Sequence, residues 1–414
     1  MKINNKTLTE IFLEMPWPFR IVVIVGVLFV FYSAYHATVA YRQLKGVGKP
    51  REAAQLMARN SQQYDTGLFD PSIASSGKEV ALSYTTLMTL PNSQEKAAAV
   101  RIMNAPPPCK NWQVVFEVGE PGTPMQEAGF VPSTDEMIGP DSVTPLGRGT
   151  WWIETSSFVY DPDDKGKEWK LYAYKYIWLD RDAGLKRDEI ARLYGFIVHK
   201  HAPQLTGPWS PEQWLFSAKP DTPPPPYSTM VQNRLNTLDA SLKDIYFYAR
   251  PSVVYADRVL FMTLSAFIRG RPTVDRIILL ASLDHGKTWN YMGTPLRHGD
   301  VTQMGDYKTL AGGGLIKQGK KIYFWAVPGN DKQAGAGTMI MEFNNIAKGE
   351  LKRDSKGLPE VHKTIKPQGP APGKEGGGFA AYTDTCNDGI VTSEYSAITN
   401  SRRLVPREEK PFDD

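Results

Sequence analysis

The sequence predicts an all-β fold behind a single N-terminal transmembrane helix. From residue 66 onward, short apolar runs alternate with turns rich in Gly, Pro and Asp, and no long segment shows the 3.6-residue period of an amphipathic helix. A unit of apolar strand, turn and aromatic-rich strand recurs five times, with starts roughly 65–90 residues apart. Closing five such units into a ring would remove the exposed edges that an open array leaves. We therefore predict a five-bladed β-propeller over residues 66–400.

The apolar run at residues 21–41 predicts the membrane-spanning helix. It contains no Asp, Glu, Lys or Arg, and about 20 apolar residues match the hydrocarbon core of a bilayer. On this division, residues 1–20 are a short N-terminal tail, 42–65 a polar stalk and 401–414 a C-terminal tail. A cleaved signal peptide is the alternative, although no clear A-x-A cleavage site follows the run.

Composition excludes some functions and leaves others open. The 414 residues are 41% hydrophobic and carry a formal net charge of only +4, which argues against a dedicated nucleic-acid binder. Neither C-x-x-C nor H-E-x-x-H occurs, so we expect no metal site, and no cofactor is expected. The two cysteines, Cys109 and Cys386, could pair in an oxidising compartment or remain free thiols.

Residues 282–289 (S-L-D-H-G-K-T-W) match the pattern S-x-D-x-G-x-T-W and predict a tight hairpin. The Asp can accept backbone N–H bonds, the Gly supplies a positive φ, the Ser hydroxyl can fix the near side, and the Trp can pack on a sheet. The motif resembles the Asp-box, or BNR repeat, of sialidases and other propellers, in which it is structural. Its fixed residues are Ser282, Asp284, Gly286, Thr288 and Trp289.

Two further motifs resemble the five-bladed propeller glycosidases, especially the inverting β-xylosidase and arabinanase-like group. Residues 70–73 (D-P-S-I) are similar to a D-P-x-[IV] element at the start of the first blade, and residues 205–210 (L-T-G-P-W-S) to an L-x-G-P-W strand end. The resemblance implies that Asp70 is a general base. The third acidic element of that group has no match, because residues 248–252 read Y-A-R-P-S.

Inverting hydrolysis requires two carboxyl groups about 6.5–9.5 Å apart, one of them protonated. Asp70 is the candidate base, and Glu154, at the start of the second repeat, is the candidate acid. Arg250 opens the third repeat and could hold a carboxylate or a sugar acid group in bidentate fashion. Further substrate-binding candidates are Trp151 as a stacking platform, and Asp384 and Glu394 beside the closing strand.

Three histidines are predicted to have no special role. His199 and His201 could bind a metal, but their position after a strand favours an exposed turn. His285 occupies a variable position of the hairpin, where we expect it to be exposed.

The function predicted is a membrane-anchored propeller that binds or hydrolyses glycan and resembles a glycoside hydrolase if it is catalytic. Its partners would be a glycan or polysaccharide, the lipid bilayer through residues 21–41, and a possible membrane protein, with no nucleic acid. Basic residues are nearly balanced around the apolar run. Because Asp-box propellers are mostly exported, the C-terminal domain is predicted to be periplasmic or extracellular. The alternative is a non-catalytic scaffold or assembly module at the membrane.

Overall fold

The structure is a computed structural model of the chain, and it describes part of the sequence. The described residues are 2–3, 6–7, 16–45, 66–89, 96–107, 113–118, 137–138, 145–147, 149–179, 195–217, 233–268, 271, 273–330, 336–366, 380–382, 390–396 and 401–406. Contacts divide the chain into two units, Met1–Gly46 and Val47–Asp414. Residues 46–65 of the predicted stalk, which was placed at 42–65, lie outside the described residues, as do Cys109, Cys386 and Asp384.

The first unit is dominated by one apolar helix. Strands β1 (Lys2–Ile3) and β2 (Lys6–Thr7) pair antiparallel, and helix α1 follows over Trp17–Lys45. The segment Trp17–Ala34 has the length and apolarity of a membrane span, and none of it is buried inside the protein. A helix was therefore correctly predicted here, and it extends beyond 21–41 at both ends. A signal sequence near the N-terminus would have the same properties.

The second unit consists of antiparallel sheets that follow one another along the chain. The first blade contains β3 (Thr66–Ser75), β4 (Val80–Thr89), β5 (Lys96–Ala105) and β6 (Gln113–Val118). Strands β7 (Met137–Ile138) and β8 (Pro145–Gly147) form a separate pair. The second blade contains β9 (Gly149–Tyr160), β10 (Trp169–Leu179), β11 (Phe196–Ala202), β12 (Gln213–Ser217) and the parallel β13 (Asn233–Arg234).

The third and fourth blades follow in the same way. The third contains β14 (Ile245–Ala256), β15 (Val259–Ile268), β16 (Arg276–Ser282) and β17 (Asn290–Arg297), followed by helix α2 (His298–Gln303). The fourth contains β18 (Thr309–Gln318), β19 (Lys321–Gly329) and β20 (Thr338–Asn345), with β21 (Glu350–Leu351) and β22 (Val361–Ile365) both paired to β20. The 3₁₀ turns are η1 (Leu235–Thr237), η2 (Ala240–Leu242) and η3 (Ile346–Lys348).

The blades form a propeller, because the innermost strands β3, β9, β14 and β18 contact each other in sequence. A three-stranded sheet of β23 (Ala380–Tyr382), β24 (Ile390–Ser396) and β25 (Ser401–Pro406) contacts both β18 and β3. The predicted all-β propeller is thus confirmed, but the structure shows four blades of four or five strands rather than five. The closing segment is too short to supply a fourth strand within the described residues.

Apolar strands in the middle of each sheet form the core. Strand β16 reads R-I-I-L-L-A-S and is buried along its whole length, because both of its faces are covered. Such a strand lacks the alternation of a half-exposed sheet and has a continuous apolar run instead. The largest buried cluster joins side chains of the second, third and fourth blades. The propeller is therefore held by packing between blades rather than within each sheet alone.

A repeated hydrogen bond joins the innermost strands. In each case a serine hydroxyl on one blade accepts the backbone N–H of the next blade's innermost strand, and we call this contact the serine clasp. The three clasps run from Phe158 N to Ser72 Oγ at 2.9 Å, from Val253 N to Ser157 Oγ at 2.7 Å, and from Leu315 N to Ser252 Oγ at 2.9 Å. Each innermost strand lies at the edge of its sheet, and the clasp gives a backbone donor of that strand an acceptor on the neighbouring blade.

The hairpin at 282–289 has the contacts predicted for it. Ser282 Oγ accepts from Gly286 N at 2.8 Å, and Asp284 Oδ1 accepts from Thr288 N at 2.8 Å. Gly286 has φ +91° and Trp289 is buried. The hairpin connects β16 to β17, as expected. Its kinship with the Asp-box of sialidases remains a resemblance.

Loss of a serine clasp should destabilise the propeller. Ser157→Ala leaves Val253 N buried without its acceptor, and such a loss costs about 1–3 kcal/mol. We expect a lower melting temperature of the full chain in a thermal melt. Ser355→Ala, in an exposed turn, is the matched control and should change little. Equal melting temperatures for the two variants would contradict a structural role for the clasp.

Gly286→Ala should cost more stability than its backbone angle alone explains. An added Cβ at Gly286 would lie 2.6 Å from the buried Tyr172 hydroxyl oxygen. Gly77 has a similar φ of +83° but nothing within 4 Å of the added atom. Gly77→Ala therefore measures the left-handed backbone cost, about 1–2 kcal/mol. If Gly286→Ala melts at the same temperature as Gly77→Ala, the hairpin does not pack against the second blade as described.

Candidate functional site

The innermost strands of the first three blades each contain a bulge at an equivalent place. The pairing register shifts there, and one residue adopts a left-handed backbone: Asp70 (φ +47°), Thr155 (φ +52°) and Arg250 (φ +56°). Each precedes its clasp serine by two positions, in Asp70-Pro-Ser, Thr155-Ser-Ser and Arg250-Pro-Ser. We call these three the bulge residues. Left-handed backbone is uncommon outside glycine, and it concentrates at functional sites.

The fourth blade departs from this pattern. Its register shifts between Leu310 and Gly312, the residue skipped in the pairing is Ala311, and Gly314 occupies the place of the clasp serine. Neither Ala311 nor Gly312 has a left-handed backbone. The bulge residues are therefore Asp70, Thr155 and Arg250 on the first three blades.

All three bulge residues line one pocket between the innermost strands. The pocket measures about 640 Å³, including the solvent space at its mouth. Trp325 supplies an aromatic wall, and Lys317 lines the pocket as well. Among the described lining residues, Asp70 is the one carboxylate, and Arg250 and Lys317 are the cations. The pocket therefore combines apolar walls with a few polar groups, as ligand sites commonly do.

The Arg250 side chain reaches from the third blade to the fourth. Its Nη1 donates a hydrogen bond to the Ala311 carbonyl, next to Gly312. Its guanidinium carbon lies 6.0 Å from the centre of the Phe267 ring, within range of a cation–π contact. Backbone and side chain are thus both fixed, so the positive charge is preorganised at the pocket.

Thr155 combines two unfavourable features. It is β-branched in a left-handed backbone, and its side-chain hydroxyl is buried with no hydrogen-bond partner among the described residues. Its backbone N–H, in contrast, donates to Thr85 Oγ1 at 2.8 Å, so its position is firmly held. A buried hydroxyl without a partner costs about 1–3 kcal/mol.

Other predicted site residues fall elsewhere. Glu154 precedes the bulge by one residue, accepts a 3.4 Å hydrogen bond from the Tyr176 hydroxyl, and is not among the described residues that line the pocket. The structure thus brings Asp70 and Arg250 together, with Thr155 in the place where Glu154 was expected. Glu394 lies in β24, and Trp151 in β9, but their side chains are outside what the structure describes. The role of Glu154 remains a prediction.

Comparisons with known proteins identify no family. No family model matches the chain, and no curated protein does either. Among solved structures, the α-L-arabinanase of Cellvibrio cellulosa is 14% identical, over 83% of this chain and 91% of that one, with a TM-score of 0.46. An exo-1,5-α-L-arabinanase from a bovine ruminal metagenomic library is 16% identical, over 83% and 94%, with a TM-score of 0.46. A glycosyl hydrolase from Bacteroides ovatus is 9% identical, over 83% and 84%, with a TM-score of 0.43. At these scores the likeness carries no argument about activity.

His285 is not exposed as predicted. Its Nδ1 lies 2.9 Å from Oδ2 of the fully buried Asp161, so the hairpin of the third blade docks on the β9–β10 turn of the second. Ligand atoms of Asp161, Asp164 and His285 lie close enough to hold a metal ion. The Lys170 ammonium is hydrogen-bonded to Asp164 and lies 3.9 Å from Asp161 Oδ2, so it already supplies positive charge there. Within this cluster, the hydrogen bond between His285 and Asp161 connects the third blade to the second.

His199 also differs from its prediction. It lies within β11, is 7% exposed, and stacks on Tyr172 at 4.7 Å between ring centres. Burial, followed by the positive charge of Lys170, lowers the pKa of His199 to about 3. The imidazole is therefore a neutral core side chain, and neither it nor His201 occupies the expected exposed turn.

Burial of neutral His199 predicts loss of stability in acid. The unfolded chain takes up a proton at this histidine near its ordinary pKa of 6.5, whereas the folded chain resists until about pH 3. The contribution of His199 to the free energy of unfolding is fully present above pH 6.5. It decreases as the pH drops, by up to about 1.4 kcal/mol per pH unit. His199→Phe removes this titration while retaining a stacking ring.

Urea unfolding of both proteins from pH 8 to pH 4 tests the effect. At pH 8, the difference in the free energy of unfolding between the two proteins reports the change in packing alone. The change in that difference between pH 8 and pH 4 reports proton uptake by His199. The variant should gain stability relative to the parent as the pH falls. If the free energies of unfolding of the two proteins change in parallel with pH, His199 takes up its proton at the same pH in the folded and unfolded states, which would contradict the prediction.

Proposed function

We propose that this chain binds glycan in the pocket at the centre of its propeller. The observation that carries the proposal is that equivalent strained bulges on three successive blades place Asp70, Thr155 and Arg250 along one cavity. Backbone strain at three equivalent positions is better explained by a functional role than by the needs of packing, because packing does not require a strained backbone.

The chemistry of the pocket suits a sugar. Hydroxyl groups of a sugar both donate and accept hydrogen bonds, and a carboxylate such as Asp70 accepts them while a guanidinium such as Arg250 donates them. Trp325 offers an aromatic surface for the apolar face of a sugar ring. A binding site with preorganised polar groups loses little entropy when the ligand enters.

Hydrolysis by inversion is the catalytic form of this proposal. Asp70 would activate water, and Glu154 would protonate the leaving oxygen. The half-buried Glu154 carboxyl accepts from Tyr176 and would need to face the same ligand as Asp70. One observation favours the alternative, a non-catalytic binding or assembly module: Asp70 is the one carboxylate among the described lining residues.

The remaining parts of the proposal concern location and architecture. Helix α1 would anchor the propeller to a lipid bilayer, with the pocket facing the periplasm or the exterior. The hairpin at 282–289 would be an Asp-box, and the three-stranded sheet would act as a reduced fifth blade between the fourth and the first.

Asp70→Asn tests the site with little change of shape. The full chain in detergent is screened for binding on a polysaccharide and oligosaccharide array, and for turnover of aryl glycosides. Loss of the charged hydrogen bond should weaken binding roughly tenfold or more, and loss of a general base should reduce turnover by roughly 10²–10⁴-fold. Asp306→Asn, at an exposed loop position, is the matched control.

Binding that is equal in the parent and in Asp70→Asn would rule out the axial pocket as the glycan site. Binding lost in Asp70→Asn without measurable turnover in the parent would support the non-catalytic form. Turnover lost in both Asp70→Asn and Glu154→Gln would support the inverting pair.

A further inference from the structure

The turns that follow the innermost strands lie together at one end of the propeller. In each blade the turn joins the innermost strand to its antiparallel neighbour, and the four turns are 76–79, 161–168, 257–258 and 319–320. The Tyr255 hydroxyl donates to Asp163 of the second-blade turn, and Lys317 Nζ donates to the Tyr255 carbonyl at 2.9 Å. The hairpin at 282–289 packs on the second-blade turn at the same end. We call the surface formed by these five segments and the strand ends beside them the hairpin face.

The exposed charges of the hairpin face are mostly positive. Eight Lys and Arg side chains are exposed there, against two exposed acids, Asp163 and Asp257. Asp163 Oδ2 lies 3.8 Å from Arg258 Nε, so one of these acids is already paired. All four blades contribute to the set of exposed cations, which is Lys78, Lys165, Lys167, Arg258, Lys287, Lys317, Lys320 and Lys321.

The other acids of the same segments are recessed. Asp161 is buried, and Asp164 is bonded to the ammonium of a buried lysine. Asp284 accepts bonds from the backbone and the hydroxyl of Thr288 within its own hairpin. The remaining two, Glu79 and Glu168, are half-buried. Cations remain in excess on this face even when the recessed acids are counted, and a flat surface brought against it would meet the lysines first.

The hairpin face also exposes one large apolar side chain. Leu283, at the tip of the hairpin, is 73% exposed, more than any other large apolar side chain outside helix α1 among the described residues. The exposed Lys287 lies in the same hairpin. Binding at a membrane interface combines burial of apolar area with attraction of cations to anionic lipids, and this surface offers both.

The chain itself would bring this face close to a bilayer. Helix α1 ends at Lys45 and strand β3 begins at Thr66, so a span through α1 tethers the propeller by a short connection. Tethering makes docking intramolecular, with effective concentrations on the order of 1 mM for short linkers. Each lysine beside an anionic lipid surface strengthens binding about fivefold. A few lysines are therefore enough to hold a tethered domain on the bilayer.

Resting on the membrane anchoring that is part of the proposed function, we propose that the hairpin face docks on an anionic phospholipid surface, with its lysines at the phosphate groups and Leu283 in the interfacial layer. The bulge residues lie toward the other end of the innermost strands. Asp70, for example, precedes the end of β3 at Ser75 by roughly 15 Å of extended chain. Docking would therefore leave the bulge end of the pocket facing away from the bilayer, where glycan can reach it.

Hydrogen exchange of the full chain in lipid nanodiscs tests the docking. One set of discs contains phosphatidylcholine alone, and the other contains phosphatidylcholine mixed with phosphatidylglycerol. Backbone amides of the hairpin face should exchange about tenfold more slowly in the anionic discs than in the neutral ones. The difference should shrink as salt increases, because salt screens exposed charges. Heparin and duplex DNA, added to the chain in detergent, separate lipid docking from attraction to any polyanion.

Matched variants assign the docking to residues. Lys320→Glu combined with Lys321→Glu should remove the protection, because two lost attractions alone weaken docking about 25-fold. Lys243→Glu combined with Lys308→Glu makes the same change of charge at exposed positions before β14 and β18, at the opposite end of the innermost strands, and should leave the protection in place. Leu283→Ser should reduce the protection without lowering the melting temperature, because the leucine side chain is exposed.

Each outcome supports the docking or overturns it. Equal exchange in the two sets of discs would overturn it, as would protection that persists when both Lys320 and Lys321 are reversed. Protection by heparin or DNA but not by anionic lipid would assign the face to another polyanion and overturn lipid docking. If the chain does not enter nanodiscs, the anchoring fails and the docking falls with it. Glycan binding is measured separately on the array, so the glycan function stands or falls independently of these results.

Discussion

The serine clasp is the interaction on which the rest of the propeller depends. Ser72, Ser157 and Ser252 each accept the backbone N–H of the next blade. The donor belongs to a strand at the edge of its own sheet, and the clasp satisfies it from the neighbouring sheet. The clasp serine follows the bulge residue by two positions, so one short segment provides both the contact between blades and the residue at the pocket. Stability and site geometry therefore have a common origin.

This coupling explains how strained residues persist at the pocket. A left-handed backbone costs roughly 1–3 kcal/mol for a residue such as Thr155, and it survives only where surrounding contacts fix it. The clasp two residues later, together with the bond from Thr155 N to Thr85, provides those contacts. The orphaned hydroxyl adds a second cost that no described contact recovers. Both costs therefore fall on the same residue.

Much of this architecture could be predicted from the sequence, but the central site only in part. The hairpin at 282–289 was predictable because each of its bonds is local, and Asp70 and Arg250 because proline and serine follow both. Thr155 was missed: its repeat lacks the proline, and the neighbouring Glu154 attracts attention as a carboxylate. A search for the residue two positions before each clasp serine would have identified Thr155. Burial of His199 and the contact of His285 with Asp161 depend on residues distant in sequence, which local patterns do not encode.

The serine clasp does not recur on the fourth blade, and the residues found there instead affect the lining of the pocket. At Gly314 a Cβ would lie 2.6 Å from both the Ser252 hydroxyl and the Trp325 ring, so the fourth blade cannot carry a serine there. The same aromatic ring that excludes the serine lines the cavity. The junction beyond the fourth blade is formed instead by contacts of β18 and β3 with the three-stranded sheet. The ring is therefore asymmetric by construction. Its glycine-bearing side is the one to which Arg250 extends, where the guanidinium donates to the Ala311 carbonyl and so links the third blade to the fourth without a serine.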